Sequence, residues 1–309
     1  MFKKIALSLA LVILILGIAL LLPKNIKEFP TTAKSSSFRF LNFRKDPETT
    51  IILTGDIMLG RSVMQTSLSK SDPNYPFRAV ADTLQKTDLV FGNLETPVVE
   101  NCPETTSGMI FCADPEMLSG LKFAGIDIVS IANNHTKNYG ENGFAQTEKY
   151  LTEEGISYVG AENLVIREVK GSKFGFLSFS FVDNKPTALD YQLVRDSKSR
   201  VDVLLVMVHW GNEYNPDPTF SQKEIADNLI KTGADVVVGA HPHWVQGVDT
   251  VGGKPIFYSL GNFVFDQAWS EETKTGLAIR LTYRDNKLSK IEEMPVYMEN
   301  FAQPKWTTD

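Results

Sequence analysis

From residue 49 onward, short apolar runs rich in β-branched residues recur between stretches of mixed polarity. Ile51-Ile-Leu53, Asp88-Leu-Val-Phe91, Ile126-Asp-Ile-Val-Ser-Ile131, Val201 to Val208 and Ala234-Asp-Val-Val-Val238 mostly lack polar alternation, which is the pattern of strands buried on both faces. Helix signals lie between them. Asp114-Pro115 supplies an N-cap and a first-turn proline ahead of Met117, Leu118 and Leu121, with Gly125 as the stop. Ser221-Gln-Lys-Glu224 reads as a capping box before Ile225, Ala226, Leu229 and Ile230, and Gly233 ends that helix. Strand-helix alternation of this kind predicts a layered α/β domain. After Val245 the pattern changes: residues 245–251, 255–259, 276–283 and 287–297 read as successive strands joined by turns such as Gly252-Gly253. They predict a second sheet or a continuation of the first, and a two-sheet sandwich flanked by helices fits the order better than one doubly wound sheet.

The N-terminus adds a different element. Met1-Phe-Lys-Lys4 precedes an apolar run, residues 5–22, interrupted only by Ser8 and Gly17. That length spans a hydrocarbon layer of about 30 Å. No small-x-small cleavage site accompanies Leu20-Leu-Leu-Pro-Lys24, so an uncleaved signal anchor is favoured over a signal peptide. Lys3 and Lys4 favour a cytoplasmic N-terminus, although Lys24 and Lys27 blunt the asymmetry. Pro23, Pro30 and Ser35-Ser-Ser37 mark a tether. The expected organisation is a signal anchor at 1–22, a tether at 23–48, one domain at 49–300 and a C-terminal tail at 301–309, with the protein single-pass in the cell membrane and its domain extracytoplasmic. A net charge of −6 gives no basic field for nucleic acid. The two cysteines, Cys102 and Cys112, are spaced too widely for a CxxC metal knuckle; they are either two separate thiols or, as the anchor favours, a disulfide.

Each apolar run of the first group ends in polar residues of metal-ligand type. Gly55-Asp56, Gly92-Asn-Leu-Glu95, Asn133-Asn-His135, His209-Trp-Gly211 and His241-Pro-His243 follow the five runs in order, and all four histidines of the chain are among them. In open α/β sheets, binding sites lie beyond the carboxyl ends of the strands, so these clusters should converge. Turn chemistry explains Gly, Asn and Asp at such places but not His. Imidazole with carboxylate suits a borderline divalent ion, with Zn, Mn and Fe all compatible, as one ion or two.

Six ordered segments then carry a family resemblance: Gly55-Asp-Ile-Met-Leu-Gly-Arg61, Phe91-Gly-Asn-Leu-Glu-Thr-Pro97, Ile131-Ala-Asn-Asn-His-Thr136, Val208-His-Trp-Gly-Asn-Glu-Tyr214, Gly239-Ala-His-Pro-His243 and Tyr258-Ser-Leu-Gly-Asn-Phe263. From Gly55 to about Asp266 the chain resembles the CapA poly-γ-glutamate capsule-synthesis family, which is similar to the calcineurin-like metallophosphoesterases. The resemblance implies an α/β fold, a four-layer α-β-β-α sandwich of the metallophosphoesterase type, preceded here by one N-terminal transmembrane helix. It implies one metal held by Asn134, His209 and His241, another by Asp56 and His243, and Glu95 near both. It gives His135 a role beside the ions, in charge stabilisation or protonation of a leaving group. Where metallophosphoesterases carry Asp-x-His, this chain has Asp56-Ile57-Met58, and a thioether is a poor ligand for such ions. Arg61 is a candidate for binding an anionic substrate, against the alternative that it caps or solvates the following helix; Trp210 is either a packing surface for substrate or core; Asn262 lies at the rim or in a turn. The implied partners are the cell membrane through residues 5–22, other capsule-synthesis or export subunits, and an anionic polymer or phosphoester substrate. Capsule work by a metal-bearing component is the leading expectation, and a metal-dependent phosphoesterase or hydrolase acting on another substrate is the alternative.

Overall fold

The computed structural model describes residues 47–160, 162–300 and 302–307. The anchor expected at 1–22, and all but the last two residues of the tether, lie outside the described residues. Among the described residues, no helix is long and apolar enough to cross a membrane.

The chain builds one sheet, then a second, then returns to the first. The opening part runs β1 (Thr49–Ile57), α1 (Arg61–Ser69), α2 (Ala81–Leu84), β2 (Leu89–Leu94), α3 (Leu118–Ala124), β3 (Ile128–Ser130), α4 (Gly140–Glu154) and β4 (Ser157–Val159). Its strands pair in parallel in the order β1-β2-β3-β4. The middle part, β5 (Val165–Val169), β6 (Ser172–Ser180), α5 (Ala188–Lys198), β7 (Val203–His209), α6 (Phe220–Thr232), β8 (Val236–Ala240), β9 (Val248–Val251) and β10 (Lys254–Phe257), makes a six-stranded sheet ordered β5-β6-β7-β8-β10-β9. The last part, β11 (Asn262–Val264), α7 (Glu271–Lys274), β12 (Thr275–Arg284), β13 (Lys287–Glu299) and β14 (Gln303–Trp306), rejoins β1: β11 pairs with it in parallel and β12 antiparallel. The late strands therefore belong to neither one new sheet nor one continuation, because β9 and β10 extend the second sheet while β11 to β14 extend the first. Residues 303–306, expected within a tail, pair with β13.

The period-2 pleat sorts side chains between three cores. Ile51 and Leu53 of β1 face Val203, Leu205 and Met207 of β7 between the two sheets. Ile52 packs outward with Val63 of α1 and Leu121 of α3. Leu204, Val206 and Val208 pack on the other side, against Val194 of α5 and Leu229 of α6. Helices thus cover the outer face of each sheet, and the apolar continuity of the runs follows from burial on both faces.

Local signals behave as chemistry requires, with one shift. The Asp114 side chain accepts from the Glu116 N–H, and Gly125 closes α3 at φ +78°. The capping box of α6 is formed by Thr219 and Gln222, two residues earlier than Ser221-Glu224, because Thr219 has the extended backbone that a cap needs while Ser221 already lies inside the helix. Cys102 and Cys112 are disulfide-bonded.

Candidate metal centre

Strand termini place every inner residue. In β1 the pairing with β2 slips between Leu53 and Asp56, a local irregularity that re-aims the end of the strand. Gly55 makes room for it: a Cβ there would lie 1.9 Å from the Gly261 carbonyl oxygen. Asp56 is thereby brought beside Asn262 of β11 and Asn93 of β2. Glu95 follows β2, its N–H bonded to the Ile57 carbonyl. Asn133, Asn134 and His135 follow β3, His209 ends β7, and His241 and His243 follow β8. His241 and His243 adopt φ of +95° and +57°, uncommon for a residue with a Cβ and characteristic of functional sites held by their surroundings.

These side chains meet in one buried cluster. Asn134 Oδ1 lies 2.9 Å from His209 Nε2, which lies 3.1 Å from His241 Nδ1. His243 Nδ1 is 3.4 Å from Asp56 Oδ2. Glu95 Oε1 stands 3.7 Å from His209 Nε2 and 3.8 Å from both His243 Nε2 and His135 Nε2. Two groups of ligand atoms result: Glu95, His209 and His241, and Asp56, Glu95 and His243, with Glu95 common to both. All the predicted ligands come together, as does His135.

Glu95 is the decisive observation. Among the described residues, neither carboxylate oxygen has a hydrogen-bond partner, and both are shut off from solvent. A buried carboxylate without a partner is strongly unfavourable. Burial first, and the Asp56 charge next, push its pKa well above the ordinary range. The imidazoles are driven the other way: burial holds His209 well below its usual value and brings His241 to about 4, and His135 is lowered for the same reason. Neutral imidazoles offer lone pairs. Two ligand atoms on one ion at about 2.1 Å each are at most about 4.2 Å apart, so separations of 3.4–3.8 Å suit a shared cation, which would stand where Glu95 otherwise holds a proton. The residues present therefore fit a divalent metal of the nitrogen-and-oxygen-loving class.

Several polar neighbours were not in the predicted ligand set. Asn93 Nδ2 donates to Asp56 Oδ1 at 2.8 Å and lies 3.3 Å from His209 Nδ1. Asn262 Oδ1 is 2.9 Å from His243 Nδ1, so it orients a ligand and is not merely a turn residue. Tyr214 stacks on His243 at 5.9 Å. A buried asparagine beside the expected ligands is the sequence signal that would have found Asn93.

The remaining candidates lie elsewhere. The Arg61 guanidinium is engaged by Asp266, donates to the Gly108 carbonyl at 2.8 Å and covers the Phe111 ring at 4.6 Å, so it braces the rim. Trp210 is core, packed among the α6-facing residues with its N–H on the Tyr258 carbonyl. Met58 also packs in a core, its sulfur 3.1 Å from the Gly60 N–H. Beside Asn133 and Asn134 opens a crevice of about 610 Å³ between the carboxyl ends of β3 and β6, lined also by Lys137, Ser178, Phe179 and Phe181.

Residues 50–267 match the family described as bacterial capsule synthesis protein PGA_cap. The chain is 33% identical over 294 residues to the capsule biosynthesis protein CapA of Bacillus anthracis, covering 86% of this chain and 71% of that protein. It is 29% identical over 266 residues to the PGA biosynthesis protein CapA of Bacillus subtilis (strain 168), covering 78% and 70%. A hypothetical protein from Thermus thermophilus shares the fold, with a TM-score of 0.55 at 15% identity over 81% of this chain and 100% of the other.

Proposed function

Because this chain belongs to the PGA_cap family of bacterial capsule synthesis proteins, we propose that it serves the synthesis or export of poly-γ-glutamate or another envelope polymer through a metal centre at its strand ends. The observation that carries the metal centre is the buried, unpartnered Glu95 shared by two ligand groups. The two sheets with helices outside them support the four-layer metallophosphoesterase-type assignment. Zinc, manganese or iron fits the donor set, as one ion or two.

Held by these residues, a divalent ion would supply a water acidified from a pKa of 15.7 to about 7, and so a nucleophile at neutral pH. The chain's own residues do the rest. Asp56 and Glu95 offset the cationic charge, while Asn93 and Asn262 orient Asp56 and His243. His135 stands at the edge of the ligand set with Nε2 toward Glu95, within reach of a proton on a reacting group. The adjoining crevice accommodates the substrate, an anionic polymer or a phosphoester. Met58, standing where an imidazole would be a ligand, would leave one ion with fewer donors and so favour slow or specialised chemistry over brisk phosphodiester hydrolysis.

Partners follow from energetics. Forming amide bonds in water runs uphill and needs an activated donor, so polymer growth requires other synthesis subunits. In this reading residues 1–22 anchor the chain, 23–48 tether it, and the domain from Thr49 works outside the cell membrane; the disulfide supports an oxidising compartment. The alternative, a metal-dependent hydrolase acting on another substrate, rests on the same cluster.

Metal analysis of the purified full chain tests the centre. Bound transition metal is expected, lost when His209 and His241 are both replaced by alanine; unchanged metal content in that variant would exclude the site. Capsule assays on the same variant then separate the two readings, since an unchanged capsule with lost metal favours another substrate.

A further inference from the structure

One histidine of the cluster is held by a different kind of structure. His135 sits in a turn after β3, where the Asn138 N–H bonds its carbonyl at 2.9 Å, and against the loop that the Cys102–Cys112 disulfide closes. Phe111, next to Cys112, stacks on the His135 ring at 3.9 Å and 23°. The Phe111 N–H donates to Asn138 Oδ1 at 2.7 Å, and the same oxygen lies 3.0 Å from His135 Nδ1. Because a backbone N–H can only donate, the atom of Asn138 facing both groups is its carbonyl oxygen, and an oxygen of that kind only accepts. The proton must therefore sit on His135 Nδ1, leaving the Nε2 lone pair directed to the inner space, 3.8 Å from Glu95 Oε1 and 3.2 Å from the Asn134 amide nitrogen. The outer side of Phe111 is covered by Arg61, itself pinned by Asp266.

We propose that Asn138, held in the same turn as His135 and braced by the Phe111 N–H of the disulfide-closed loop, is a positioning residue that fixes His135 as its Nδ1–H tautomer with Nε2 aimed at the metal-side space, so that breaking the disulfide loosens the brace and disarms His135 without removing the ligands. This rests on the metal-centre reading for its purpose but not for its geometry. At rest His135 then presents a lone pair and takes up a proton before it can give one. It also ties the site to an oxidising compartment, because Phe111 reaches Asn138 through a segment whose two ends the disulfide joins.

The test uses the full chain in detergent, labelled with ¹⁵N histidine and loaded with zinc; with four histidines in the chain, each ring is resolved. In wild type, His135 should show a protonated Nδ1 and an unprotonated Nε2. In Asn138→Ala the two signals should collapse toward a tautomer average, and Asn138→Asp, which keeps an accepting oxygen, should restore them. Reduction by a phosphine, or Cys102→Ser with Cys112→Ser, should give the same collapse at unchanged zinc content. An Nε2–H tautomer in wild type, or wild-type signals in both Asn138→Ala and the disulfide-free chain, overturns the proposal. Should Asn138→Ala fail to fold, Phe111→Leu is read instead: it keeps the disulfide and Asn138 but removes the stack, so partial collapse supports the loop's part and unchanged signals refute it. Zinc measured in each sample separates the outcomes, for wild type that binds no zinc sinks the metal centre alone, and the tautomer is then read on the metal-free chain, where the same pattern is expected.

Discussion

The floor of the site and its rim are built on opposite principles. On the floor, Asp56, Glu95, His209, His241 and His243 are all buried, and Glu95 has no hydrogen-bond partner for either oxygen. Such a set is costly by itself, and a cation in place of the Glu95 proton would offset that cost. On the rim, Arg61 pairs with Asp266 and covers Phe111, whose N–H bonds Asn138, and the disulfide closes the loop that carries Phe111. The floor is therefore a place where ligand binding supplies the missing stability, and the rim is a place where folding alone fixes geometry.

The largest expected effect breaks the floor at its shared member. Glu95→Ala should abolish nearly all bound metal, whereas His243→Ala should spare the His209–His241 group; equal retention of metal in both, read by elemental analysis, would show that Glu95 is not shared. On the rim, replacing Cys102 and Cys112 by serine should cost on the order of 3 kcal/mol in the chain-entropy model, less with strain, with metal retained. Chemical denaturation checks the first half and metal analysis the second; loss of metal in that variant would join rim to floor.

Chelation should lower the melting temperature, since an ion bound only by the folded chain stabilises it by about 2.7 kcal/mol at a hundredfold excess over its dissociation constant. Acid should act on the same residues. His135, His209 and His241 have folded pKa values below the usual imidazole value of about 6.5, so the unfolded chain takes up their protons first. Their contribution is complete above about 6.5 and is lost as pH falls, through about 4 for His241. Glu95 opposes them, because its raised pKa makes the folded chain the better proton binder, so the imidazoles are read in Glu95→Gln, where that opposition is removed. Metal-free Glu95→Gln protein should thus lose stability on acidification across that window, and melts that rise instead would contradict the buried neutral imidazoles. The smallest effect is a control on the outer surface: Lys137→Ala removes an exposed pair with Glu141 and should change stability by no more than about 0.5 kcal/mol.

The two regions also differed in how far they could be read in advance. The floor was legible because His, Asp and Glu at the ends of apolar runs are residues that folding alone does not favour there. Asn93 escaped because asparagine after glycine is ordinary turn chemistry, and only the meeting of β1 with β2 puts it on Asp56. Sequence leaves Arg61 between anion binding and a role at the following helix, and its partner Asp266, far away in the chain, is not legible there. The α6 cap was read two residues late, since Ser221 and Thr219 offer the same hydroxyl and only backbone geometry chooses between them.

What the sequence by itself determined was the strand-helix order, the ligand types and their place at strand ends, because periodicity and residue chemistry are local properties. Tertiary structure alone decided that the last strands divide between two sheets, that Asn93 meets Asp56, and that Phe111 and Asn138 lie against His135. Each of these depends on contacts between residues distant in the chain, and local pattern carries no information about which distant partner a side chain will meet.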